Sequence, residues 1–182
     1  MSVYETNKWG QEVIRKVLQY ANYEWYATEK NIKHGTDNNG VDVDTPDITW
    51  RGLGSTLEEF ENGIKSGKYA GNVPEDKSRK ISNDCVGVDC SGLLTVCWNL
   101  PQKISTRVIP NYANVVESID EIQQGDVFAK IGSYVMFFKE FADDDKKVVV
   151  IIDATRGTGK VSVRQENIDE LFGKGYKIYR KK

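Results

Sequence analysis

Apolar side chains return every fourth residue between positions 7 and 21, at Trp9, Val13, Val17 and Ala21, with Ile14 and Leu18 widening the stripe. An apolar face of that width predicts an amphipathic helix lying on a core. The pattern then breaks. From His34 through Asn38-Asn39-Gly40 to Thr45-Pro46-Asp47, turn-forming residues dominate, and a long surface loop is expected. Ser55-Thr56-Leu57-Glu58-Glu59-Phe60 marks a second helix start, where either hydroxyl can cap and a glutamate can reach back, and the helix runs to about Gly67. Residues 72 to 84, charged and carrying Pro74, read as a connector.

Downstream of Asp89 the run Cys90-Ser91-Gly92-Leu93-Leu94-Thr95-Val96-Cys97-Trp98 is apolar on several sides, which predicts a buried helix stopped by Asn99 and Pro101. Beyond Pro110 the period shortens. Asp126 to Ile131, Tyr134 to Phe138, Val148 to Asp153 and Val161 to Val163 are short runs rich in β-branched and aromatic residues. Asp143-Asp144-Asp145 and Arg156-Gly157-Thr158-Gly159 supply turns between them, and Tyr176 to Tyr179 adds a last strand. Helices first and antiparallel strands second is an α+β layout, with N-terminal helices packed on a C-terminal antiparallel sheet.

At 182 residues the chain suits one domain, long enough for a real core and too short for two full ones. Apolar residues make up 39% and the net charge is -2, so disorder is excluded and neither nucleic acid nor an anionic membrane is an electrostatic partner. Arg180-Lys181-Lys182 reads as a solvated tail. The longest apolar run, Val148 to Ile152, is strand-length, and no membrane span is expected. Met1-Ser2-Val3-Tyr4-Glu5 has neither a basic nor an apolar leader segment, which fits a cytoplasmic chain or one already trimmed. Oligomeric state is not encoded in any of these patterns.

Three cysteines cannot all pair within one chain, and Cys85, Cys90 and Cys97 lack zinc-site spacing, with His34 the sole histidine. No metal is expected, and the ordinary reading of such cysteines is a buried thiol. Cys90 has a second reading. At the first turn of a helix, unpaired N–H groups and the dipole favour the reactive thiolate. Asp89 can cap that turn, and Gly92 permits a close approach of chain or substrate.

Asp89-Cys90-Ser91-Gly92, followed by an apolar helix ending in Cys97-Trp98, resembles the nucleophile motif of the NlpC/P60 family of papain-like cell-wall peptide hydrolases. The order continues with Ile104-Ser105-Thr106, Glu121-Ile122-Gln123-Gln124-Gly125-Asp126-Val127 and Gly132-Ser133-Tyr134-Val135-Met136-Phe137-Phe138, where the family carries a Ser-Thr pair, an acidic-Leu-x-x-Gly-Asp strand start and a Gly-Ser-His-Val strand. Glu59-Phe60 through Gly67-Lys68-Tyr69-Ala70-Gly71 matches an upstream segment of one branch. The likeness spans roughly residues 45 to 180, leaving residues 1 to 45 as an N-terminal helix and loop extension of a single domain. It implies a papain-like fold, a peptide or cell-wall peptide substrate, no cofactor and a secreted or cell-envelope setting.

One position departs from that pattern. The family's general base is the histidine of the Gly-Ser-His strand, and this chain has Tyr134. An imidazole takes the thiol proton and holds the thiolate as an ion pair, whereas a phenol with a pKa of about 10 does neither near neutral pH. The bland reading of Tyr134 is a half-buried strand aromatic. The family's orienting residue falls at Asp153 in Ile151-Ile152-Asp153-Ala154-Thr155, where an aspartate accepts the phenol proton or simply caps the Arg156-Gly157 turn. His34, in its loop, is a poor substitute base. Asp89, Ser91, Ser133 and Trp50 are the matching cleft residues, Trp50 through a degenerate Thr49-Trp50-Arg51-Gly52 remnant of the family's Tyr-x-Trp-Gly-Gly element. The resemblance therefore implies a cysteine hydrolase of peptide or amide bonds, impaired or altered at its base, or else an inactive peptide-binding module on the same fold.

Overall fold

The computed structural model describes residues 7–26, 32–34, 54–68, 70–71, 85–155 and 157–182, with the backbone alone at 32–34 and 71. Trp50, the asparagine-rich loop, the 72 to 84 connector and the His34 side chain lie outside the described residues. The elements run α1 (Lys8–Ala21), β1 (Ile32–His34), α2 (Leu57–Lys65), β2 (Ala70–Gly71), α3 (Cys90–Cys97), α4 (Ile109–Tyr112), β3 (Ala113–Val116), β4 (Val127–Lys130), β5 (Tyr134–Phe141), β6 (Val148–Thr155), β7 (Lys160–Asn167), α5 (Ile168–Gly173) and β8 (Lys177–Lys181). This is the α+β layout expected, with five helices among the described residues and a six-stranded antiparallel sheet.

Four of the five described helices, α4 being the exception, begin where a side chain serves an orphan N–H group. Asn7 caps α1 by accepting from Gly10 N at 2.8 Å. Thr56, not Ser55, caps α2, and Thr56 and Glu59 close a reciprocal capping box. Ser55 instead accepts from Gly87 N at 3.1 Å, tying the start of α2 to the chain that leads into α3. The α1 stripe is buried at Val13, Ile14, Val17, Tyr20 and Ala21, but Trp9 stays 38% exposed, its ring meeting Trp98 at 6.4 Å between centroids. α3 ends as expected, with Asn99 in the left-handed region at φ 51° ahead of Pro101.

The sheet order is β3-β8-β4-β5-β6-β7, and alternation along its strands feeds two cores. Val135, Phe137, Ile152, Ala154 and Val161 face the core under α1, α2 and α3, with Val17, Phe60, Leu93, Leu94 and Trp98. Met136, Phe138, Val149 and Ile151 face a second core with Phe128, Ile178 and the α5 residues Ile168 and Leu171. Burial on both faces explains why the β6 sequence Val148-Val149-Val150-Ile151-Ile152 is a continuous apolar run rather than an alternation.

Two expectations are overturned. Arg180-Lys181 is not a solvated tail: it lies in β8, an interior strand paired with both β3 and β4. Arg180 grips the buried Asp126 through Nε and Nη2 at 2.9 and 2.8 Å, and Lys181 Nζ donates to the Trp98 carbonyl at 2.8 Å. Such partners are distant in sequence, so a basic run looks solvated until the sheet assembles. The second concerns His34, whose backbone belongs to a short parallel ladder with Ala70–Gly71 rather than to loop.

Candidate active site

Cys90 is the first residue of α3, and half-buried. Asp89, in extended backbone, caps the helix: its Oδ1 accepts from Gly92 N at 2.5 Å while its carbonyl accepts from Leu93 N at 2.9 Å. The Cys90 N–H therefore lies in the first turn of the helix, where the dipole favours negative charge. The stretch before it is pinned by a bridge between Gly54 and Val88, and the Gly54 position lies so close to the helix start that an added Cβ would stand 3.4 Å from Gly92 Cα. The close approach expected at Gly92 is thus made by the chain itself.

Tyr134 opens β5 after the Ile131-Gly132-Ser133 turn, in which Gly132 takes φ 77°. Its hydroxyl donates to Asp153 Oδ2 at 2.7 Å and also lies 3.0 Å from the Ala154 carbonyl. Asp153, 1% exposed, is gripped in turn by Arg164 of β7 through Nε at 3.0 Å and Nη2 at 2.6 Å. Arg164 Nη1 continues to Glu166 Oε1 at 2.9 Å. Asp153 is therefore the tyrosine's hydrogen-bond acceptor, and the arginine supplies the charge that a buried carboxylate needs.

The electrostatics follow from that line. Burial pushes the Tyr134 phenol well above its ordinary range, and the Asp153 and Cys90 charges push it the same way. Tyr176, packed on the second core, is raised by burial and then by Glu166, Cys90 and Asp153. Cys90 packs against the first core, whereas Tyr134 and Tyr176 pack against the second. Cys97, at the far end of α3, is 2% exposed, and burial raises its thiol far above the usual value.

Among the remaining candidates, Asp89 and Ser91 sit together beside Cys90, with Ser91 Oγ donating to Asp89 Oδ1 at 3.2 Å. Burial raises the Asp89 carboxyl, and Lys103, Gly92 and Ser91 oppose that rise. Ser133 is exposed at the β4–β5 turn, its N–H bonded to the Lys130 carbonyl at 2.9 Å. The residues that sequence reasoning missed are Lys103, Arg164, Glu166 and Tyr176. Lys103 is a lone lysine in an irregular stretch and offered no signal. Arg164 was within reach, because register pairs Asp153 with Ser162 and so puts Arg164 on the same sheet face.

No protein-family model, curated protein or solved structure gives a significant match to this chain. Among the described residues, no group of three or more His, Cys, Asp or Glu side chains is arranged to hold a metal ion, and no helix is long and apolar enough to cross a membrane. What the site offers chemically is a thiol at a helix start and a phenol held by a buried carboxylate.

Proposed function

We propose that this chain is a cysteine hydrolase of the NlpC/P60 type, papain-like in fold, acting on a peptide or amide bond with bacterial cell-wall peptides as its substrate class. The observation that carries the reading is Cys90 at the first position of α3, capped by Asp89; the Tyr134–Asp153 pair stands at the matching strand positions. The helix-on-antiparallel-sheet arrangement supports the same reading.

In the reaction, the Cys90 thiol loses its proton and the sulfur attacks the carbonyl carbon. The Cys90 N–H at the helix start steadies the oxyanion. The tetrahedral species collapses, the amine leaves with a proton, and water hydrolyses the thioester to regenerate the thiol. Tyr134 does not take the thiol proton, because its phenol is neutral and its proton is committed to Asp153. The thiol proton passes to solvent instead, and the leaving amine takes its proton from solvent. Loss of a positioned base costs typically 10²–10⁴-fold, so turnover is slow. The same hydrogen bond favours a second reading, a peptide-binding module on this scaffold, since it closes the polar line on itself.

The test is release of amine from a γ-glutamyl-diamino-acid peptide, followed by mass spectrometry in the native chain and in Cys90→Ala. Slow release that vanishes in Cys90→Ala supports hydrolysis. Saturable peptide binding with no release from either protein supports the binding module, and release that survives in Cys90→Ala contradicts a Cys90 nucleophile.

A further inference from the structure

Beside Cys90, three oxygens converge on one ammonium. Lys103 Nζ donates to Ser91 Oγ at 2.7 Å, Asp89 Oδ1 at 2.9 Å and the Ile104 carbonyl at 3.1 Å. An alkylammonium has three N–H donors and no acceptor, so this set satisfies it completely. The socket is built rather than incidental. Asp89 Oδ1 is fixed by Gly92 N and by Ser91 Oγ as well, and both residues belong to the first turn that carries the thiol. The lysine stem runs against Gly54, where an added Cβ would stand 3.4 Å from Lys103 Cδ. With 22% and 15% of the Lys103 and Asp89 side chains exposed, the pair is half-sheltered but reaches the surface next to Cys90.

Asp89 and Ser91 flank the nucleophile and carry the oxygens that would recognise a substrate's amino group. Here Asp89 Oδ1 and Ser91 Oγ are already engaged by the chain's own lysine. A second ammonium arriving at this place meets the Lys103 charge and finds those two acceptors occupied. An acylated or otherwise neutral group meets neither obstacle.

We infer that Lys103 fills the cation subsite beside Cys90 from within the chain, and so makes the site select acyl donors that are neutral or N-acylated next to the scissile bond over those with a free amine there. Lys103 is on this account a specificity-determining residue, acting through the Asp89–Ser91 pair. The inference rests on reading Cys90 as the nucleophile.

Two affinity reagents separate the possibilities: an alanyl chloromethyl ketone with a free amine and its N-acetyl counterpart. Each rate of Cys90 alkylation is read by peptide mass spectrometry in the full chain and normalised to the reagent's rate with glutathione. The native protein should favour the N-acetyl reagent by about tenfold or more, a difference of about 1.4 kcal/mol. Lys103→Met should lose that preference, with the free-amine reagent gaining most. A native preference for the free amine overturns the inference, as does an unchanged ratio in a Lys103→Met protein that retains its near-ultraviolet circular dichroism. Should Lys103→Met not fold, the native ratio decides alone. Saturable alkylation with the wrong ratio sinks the specificity role only, whereas no saturable alkylation of Cys90 by either reagent sinks the nucleophile with it.

Discussion

Tyr134 has one proton to give, and Asp153 Oδ2 at 2.7 Å is its charged acceptor. An imidazole in the same place would hold two nitrogens, one for the carboxylate and one for the thiol, which is why His and Tyr are not interchangeable at a base position. The raised phenol also has a consequence for stability. Its pKa in the folded chain lies above the unfolded value of about 10, so its contribution is fully present below that pH and fades as pH rises through the folded value. Urea unfolding of the native chain should therefore lose stability above pH about 10 with a slope up to about 1.4 kcal/mol per pH unit steeper than in Tyr134→Phe. Parallel pH dependences in the two proteins would show that the phenol ionises as freely in the fold as outside it.

Helices and strands tell a similar story one level up. The α1 stripe, the capped start of α2, the α3 run ending at Asn99 and the hydrophobic stretch of β6 are all legible, because each is a local pattern that tertiary contacts reinforce; which hydroxyl and which glutamate close the α2 cap is settled only by the fold. What the local pattern hid was pairing. α5 carries an Asn167 cap and acids in its first turn, signals that were present but eclipsed by the surrounding strand residues. Arg180 looked like tail charge, and only the β8–β4 ladder puts it on Asp126. Within the candidate site, Cys90, Asp89 and the Tyr134–Asp153 pairing followed from motif order, Arg164 required the β6–β7 register, and Lys103 depends on contacts that no spacing rule encodes. The Asp126 grip gives a test at this scale. Asp126 is fully buried, so Arg180→Met strands its carboxylate and should cost about 3 kcal/mol by thermal or urea unfolding. A loss well below about 1 kcal/mol would mean that water or Gln123 N, which donates to Asp126 at 2.8 Å, carries that charge without the arginine.

Across the whole molecule the antiparallel sheet is a wall between two cores, and the candidate site draws on both. Cys90 comes from the helical side, held by α3 on β5 and β6, and Tyr134 is packed with the α5 side. Tyr134, half-buried at the start of β5, lies at the margin of the second core, so a substitution there removes less packing than one within it. This makes Tyr134→His the most direct measurement of the central claim, that Cys90 is a hydrolase nucleophile deprived of its base. Hydrolysis of a γ-glutamyl-diamino-acid peptide should rise by about 10²-fold or more in Tyr134→His, with a pH dependence that now contains an imidazole ionisation. The claim is contradicted if the native chain and Tyr134→His are equally inert while iodoacetamide still labels Cys90 in both.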